Sequence, residues 1–190
     1  STDLRMSYEK QLHPVFSAIG HFTIYHCNNC SSLITFPVPS SDALAMLYGS
    51  FSGGIQEKLQ QFRSDSPLDA LYVQSIRRAL NCMRVKLKSD SVFTWLDVGA
   101  GDGILSAILA TKYPNAKGVA VDFHPKPERL KNFKSVNWIQ ADLNTEKLSS
   151  FLPLKGIDLV ISLAVLEHVQ NPSDFVRQLL PLVSKSGILY

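Results

Sequence analysis

The sequence has no apolar run near the roughly 20 residues needed to span a bilayer, and its first residues lack the charged-then-apolar pattern of a secretory signal. A soluble, cytoplasmic protein is therefore expected. Cysteine is scarce: three residues, an odd number, cannot build a disulfide framework, which agrees with a reducing compartment. Charge is also scarce. The net charge is +3, and Lys and Arg are scattered, so electrostatics demand no nucleic-acid partner. The densest basic run, "KPERLKNFK" at 126–134, reads as a solvated helix face. Internal repeats and low-complexity tracts are missing too. What remains is 190 residues that are 45% hydrophobic, enough for one ordinary core and a small appendage.

From residue 92 onward, short apolar runs alternate with helical stretches. "VFTWLDV" (92–98), "GVAVD" (118–122), "VNWIQA" (136–141), "IDLVISL" (157–163) and "GILY" (187–190) have the look of strands buried on both faces. Helices are predicted between them at 103–113, 126–133, 145–152 and 172–184. This alternation implies an α/β fold with a doubly wound parallel sheet and right-handed crossovers. Upstream, Ser66 as N-cap and Pro67 at the first helical position open an amphipathic helix reaching Lys88, with apolar residues at three- and four-residue steps. Residues 1–65 are less regular and read as an N-terminal extension, with a short helix from Asp42 to Tyr48; residues 66–190 read as the main domain.

The stretch "LDVGAGDGILS" (96–106) sits where the first strand of such a sheet meets its helix. Glycines there permit positive φ and let a ligand approach the backbone, and in an open α/β sheet ligands bind beyond the carboxyl ends of the strands. A dinucleotide site usually reads G-x-G-x-x-G. Here Gly99, Gly101 and Gly103 give G-x-G-x-G behind an acidic residue, Asp97, whose carboxylate disfavours a pyrophosphate and suits a ligand carrying ammonium and sulfonium groups. A nicotinamide-dependent oxidoreductase is disfavoured on the same ground.

Residues 93–190 resemble the class I S-adenosylmethionine-dependent methyltransferases, with a Rossmann-like fold, in the small-molecule branch of that family. The resemblance implies that Asp97, Gly99, Ala100, Gly101 and Gly103 bind the cofactor. Asp122, nineteen residues past Gly103 at the end of "VAVD", would hold the ribose hydroxyls, and Phe123 would pack on the adenine. In "QADL", Asp142 and Leu143 fall at the family's adenine-binding position. "DLVISLAVLEHVQNPSDFV" is similar to its fourth-strand segment, so that Ser162, Leu163 and Ala164 would line the methionine end. Each residue also has a plain reading: Asp122 could cap the next turn, and Asp142 could cap a helix near Asn144. His168 is the candidate general base, or else a cap for the helix beginning near Pro172; Tyr48 and Phe51 read as a lid or as core aromatics.

The implied reaction is in-line methyl transfer from S-adenosylmethionine to a small-molecule acceptor. The rival is a non-catalytic subunit of the same fold acting through a partner. No proline-aromatic catalytic tetrapeptide follows the fourth strand, where "SLAVLEHV" stands, which argues against a nucleic-acid acceptor. "YHCNNCSSLITFPVPSSDALAMLY" resembles a degenerate zinc ribbon: Cys27 and Cys30 supply one C-x-x-C, the partner pair is missing upstream, and His13, His21 or His26 would have to substitute. A remnant without metal is the alternative. The family sheet has seven strands, and this chain ends inside the fifth. An unpaired edge there implies a truncated domain, a homo-oligomer, or a partner that covers it.

Overall fold

The computed structural model describes residues 4–8, 22–40, 42–44, 46, 67–83, 87–152 and 155–190. The chain divides into two compact units, Ser1–Gln61 and Phe62–Tyr190. In the first, β1 (Leu4–Tyr8), β2 (Thr23–Cys27) and β3 (Leu33–Phe36) form an antiparallel sheet in that order. A tight turn over 28–30 joins β2 to β3, and Ser31, in the left-handed region at φ 59°, hands the chain back. Asp42, Ala43, Leu44 and Met46 are helical, which falls within the short helix read from the sequence; Tyr48 and Phe51 lie outside the described residues.

The second unit opens with α1 (Pro67–Cys82), whose Ile76 and Ala79 are buried in the core. Five strands follow: β4 (Thr94–Val98), β5 (Lys117–Asp122), β6 (Val136–Gln140), β7 (Ile157–Ile161) and β8 (Val183–Leu189). They lie in the order β6-β5-β4-β7-β8, and every neighbouring pair is parallel. Strand order therefore reverses beside β4, the position where such sheets bind ligands. The crossovers carry α2 (Ile104–Lys112), α3 (Leu148–Phe151) and α4 (Pro172–Leu179). Among the described residues, no helix is long and apolar enough to cross a membrane.

Side chains alternate along β4 between two cores, one per sheet face. Trp95 joins Leu105, Leu109, Ala120 and Leu159 on one side; Leu96 and Val98 join Val121, Val160 and Phe175 on the other. Asp97 shares the parity of Trp95 and so faces α2. Opposite Trp95 stands Gly118, where a Cβ would lie 1.9 Å from Trp95 Cζ2, so the indole ring occupies the space that a larger residue would fill.

Four segments differ from the sequence-based expectation: α1, expected to reach Lys88, ends at Cys82, and residues 87 and 88 are not helical. The helix predicted over 126–133 is only a 3-10 turn, Glu128–Leu130. Pro125 and Pro127 explain this, since each fixes φ and removes an N–H donor. The helix predicted over 145–152 shrinks to α3 because a turn folded on Asp142 takes up residues 143–146. Finally, the helix predicted over 172–184 ends at Leu179, a 3-10 turn spans Leu180–Leu182, and β8 starts four residues earlier than read. The polar "SKS" inside β8 hides it from a hydrophobicity pattern, because an outer strand is not buried on both faces.

Candidate cofactor site at the carboxyl ends of the strands

The turn after β4 is pinned to the neighbouring strand: the Gly99 and Ala100 amides both donate to the Val121 carbonyl, at 2.8 and 3.0 Å. Gly99, Gly101 and Gly103 all have positive φ, at 76°, 56° and 76°. Two of them are glycine for different additional reasons. At Gly99 a Cβ would lie 2.2 Å from Val165 Cγ2, so the requirement is close packing against the segment after β7. At Gly101 a Cβ would meet nothing within 4 Å among the described residues, so none of them crowds the turn there.

Asp97 is fully buried, and its Oδ2 accepts a 2.6 Å hydrogen bond from Ser106 Oγ in α2. Burial is the main cause that pushes its carboxyl up to about 7; the Ser106 hydrogen bond opposes this, and the nearby Asp122 and Asp102 charges add to it. Asp102 caps the turn by accepting from the Ile104 amide and pairs with Arg129 at 3.0 Å. Part of the basic run at 126–134 is thereby tied to the glycine turn, a contact with no sequence signal.

At the end of β5, Asp122 is buried and accepts three hydrogen bonds: Gly101 N to Oδ2 at 2.8 Å, and His124 N and His124 Nδ1 to Oδ1, each at 2.9 Å. It therefore does cap the following turn, and it also holds the glycine turn. Strand β6 straps this segment in place, since Gln140 Nε2 donates to the Phe123 carbonyl and Trp138 Nε1 to the His124 carbonyl. Phe123 remains 42% exposed, its ring edge-on to that of His124.

After β6, Asp142 and Leu143 are half-buried. Asp142 Oδ1 accepts from the Asn144 amide while its own amide donates to Glu146, so it organises a turn rather than starting a helix. Asn144 Oδ1 in turn accepts from the Gln170 amide at 2.8 Å, tying this loop to the one after β7. There, Ser162 donates its amide to the Tyr190 carbonyl, while its Oγ is buried with no hydrogen-bond partner among the described residues. Leu163 is half-buried. Ala164 takes φ 55°, a strained conformation for a residue with a Cβ, and delivers Val165 onto Gly99. His168 is exposed in a 3-10 turn, its amide bonded to the Val165 carbonyl. The cap of α4 is Asn171, which accepts from the Asp174 amide, so His168 does not fill that role.

The candidate residues thus stand at the carboxyl ends of four adjacent strands, and hydrogen bonds join the glycine turn directly to Asp122. The open face of Gly101 and the unpartnered Ser162 hydroxyl fit a polar ligand lying across the ends of β4 and β7. Sequence reasoning missed Ser106, Arg129 and Asn144; only the strand-facing position of Ser106 in the first turn of α2 carried a readable signal. In the other unit, Cys27 is buried and Cys30 is exposed, its thiol made more acidic chiefly by the Ser32 hydroxyl. Among the described residues no group of three His, Cys, Asp or Glu side chains is placed to hold a metal; His13 and His21 lie outside them.

A family model described as a methyltransferase domain matches residues 96–189. An uncharacterized methyltransferase of Mycobacterium tuberculosis is 34% identical over 96 residues, 50% of this chain and 47% of that protein. The (S)-coclaurine N-methyltransferase of Thalictrum flavum subsp. glaucum is 27% identical over 137 residues, 68% of this chain and 36% of that one. The solved plantazolicin methyltransferase, in complex with a monoazolic desmethylPZN analog and SAH, superposes with a TM-score of 0.58 at 18% identity, covering 77% of this chain and 56% of its own. The chain spans about half or less of the length of these two curated relatives.

Proposed function

Residues 96–189 belong to the class I S-adenosylmethionine-dependent methyltransferases, and from that premise we propose that the protein transfers a methyl group to a small-molecule acceptor. The observation that carries this reading is the rim itself: an aspartate at the end of β5 bonded to a glycine turn whose outer face is open. When bound, the cofactor supplies a methyl group already activated by a positive sulfur. The chain's task is then positioning, and near-attack geometry alone is worth roughly 7 to 11 kcal/mol.

In this reading Asp122 accepts from the ribose hydroxyls and Phe123 covers the adenine. Asp142 and Leu143 meet the adenine edge, and the Gly99–Gly103 turn with Ser162, Leu163 and Ala164 surrounds the methionine end. His168 takes a proton from an acceptor that carries one. The modest net charge and the coclaurine-methylating relative support a small acceptor over a nucleic acid.

Calorimetric titration of S-adenosylmethionine and S-adenosylhomocysteine, with Asp122→Ala alongside, tests the site. Binding is expected for the wild-type chain, weakened about a hundredfold in the variant through loss of two hydrogen bonds to a charged acceptor. A folded wild-type chain that takes up neither compound would overturn the reading.

A further inference from the structure

Asp122 has less capacity for a ribose than its position suggests. A carboxylate offers about four lone-pair sites. Three donors already occupy Asp122: the Gly101 amide on Oδ2, and the His124 amide and ring Nδ1 on Oδ1. About one site is left, on Oδ2, and two vicinal hydroxyls need two. The two backbone donors are fixed by the β4 turn and by the straps from β6. The imidazole is the donor that a side-chain rotation can remove.

A second observation concerns the far side of the same ring. Because a carboxylate only accepts, Nδ1 carries the proton, and Nε2 is the ring's other hydrogen-bonding atom. Nε2 is buried and has no hydrogen-bond partner among the described residues. Buried polar atoms are seldom left so. The ring's present position therefore gains one bond and forfeits another, and turning outward would restore water to Nε2 as it releases Asp122.

We propose that His124 is a specificity-determining residue of the ribose subsite: its ring holds the acceptor position on Asp122 that one hydroxyl requires, and it must turn away for both hydroxyls to bind. The inference rests on the cofactor reading above. His124 is then an internal competitor, and the chain's preference for an intact ribose is set by the difference between the hydroxyl bond made and the imidazole bond lost.

The test compares S-adenosylhomocysteine with its 2′-deoxyribose analogue, by calorimetry, in the wild-type chain and in His124→Ala and His124→Asn. The single hydroxyl of the analogue needs only the site already free. His124→Ala is therefore expected to tighten S-adenosylhomocysteine about tenfold, the worth of one hydrogen bond to a charged group, while leaving the analogue unchanged. Loss of the Phe123–His124 ring contact would shift both ligands together and leave their ratio alone. In His124→Asn the amide nitrogen stands where Nδ1 stood, and the ratio is expected to return toward the wild-type value. A ratio that is the same in wild type and His124→Ala, or that rises equally in His124→Asn, would overturn the proposal while the cofactor site stands, provided that Asp122→Ala still weakens S-adenosylhomocysteine. If Asp122→Ala leaves that affinity untouched, the cofactor reading itself falls and takes this one with it.

Discussion

The two ends of the parallel sheet handle aspartate in opposite ways. At the amino ends of the strands, Asp158 of β7 is closed off by its neighbours: Thr94 donates its amide and hydroxyl to Oδ2, at 2.9 and 3.1 Å, and Ser184 approaches Oδ1. These bonds tie β4, β7 and β8 together, so this aspartate serves the sheet itself. At the carboxyl ends, Asp97 is buried against a hydroxyl with its carboxyl pushed up to about 7, and Asp122 is shared between two turns and an imidazole. Nearby, Ser162 Oγ and His124 Nε2 lack hydrogen-bond partners among the described residues. One end uses its polar groups to close the sheet, and the other leaves bonding capacity unspent, which is where binding can be stabilising.

Asp97 gives the largest expected break in that contrast. An unfolded aspartate titrates near 3.9, and folded Asp97 near 7. Between those values the folded chain binds more protons than the unfolded one, so stability falls as pH rises from about 4 to about 7 and is level above, a loss of up to roughly 4 kcal/mol. Asp97→Asn should flatten that slope, as read by urea unfolding at about pH 4.5 and 8. Equal slopes in the two proteins would mean that the buried carboxylate is solvated in the folded state.

Gly101→Ala sharpens the contrast at the rim. Its methyl meets no atom within 4 Å, so the folding cost is the positive φ alone, about 1 kcal/mol, whereas S-adenosylhomocysteine affinity should drop at least about tenfold. Asp158→Ala is the converse and the smallest effect: a loss of about 1 kcal/mol in unfolding free energy with affinity unchanged. If Asp158→Ala weakened the ligand as much as Gly101→Ala, the division of labour between the two ends would be wrong.

How much of this was readable without coordinates follows from what each feature depends on. Strands β4, β5 and β7 are buried on both faces, and so their apolar runs announced them. Strand β8 announced only its last residues, in "GILY", because its "SKS" is polar, and the prolines at 125 and 127 broke a helix that the charge pattern implied. At the site, the glycine spacing and the acidic residues at strand ends were legible because turn geometry ties residue type to position. The division of roles between Gly99 and Gly101 was not, since it depends on Val165, more than 60 residues away. The grip of the His124 ring on Asp122 was not legible either, because it depends on a rotamer and no spacing encodes a rotamer.

The bond from the Gln170 amide to Asn144 Oδ1 has a mechanical meaning. It joins the loops of β6 and β7, two strands separated by β5 and β4, a span of roughly 14 Å at ordinary strand spacing. With the sheet beneath it, this link completes a hoop around the ends of four strands. The loops that would touch the adenine and the methionine end are thereby linked directly, by a bond worth about 1 kcal/mol, and not only through the strands beneath them.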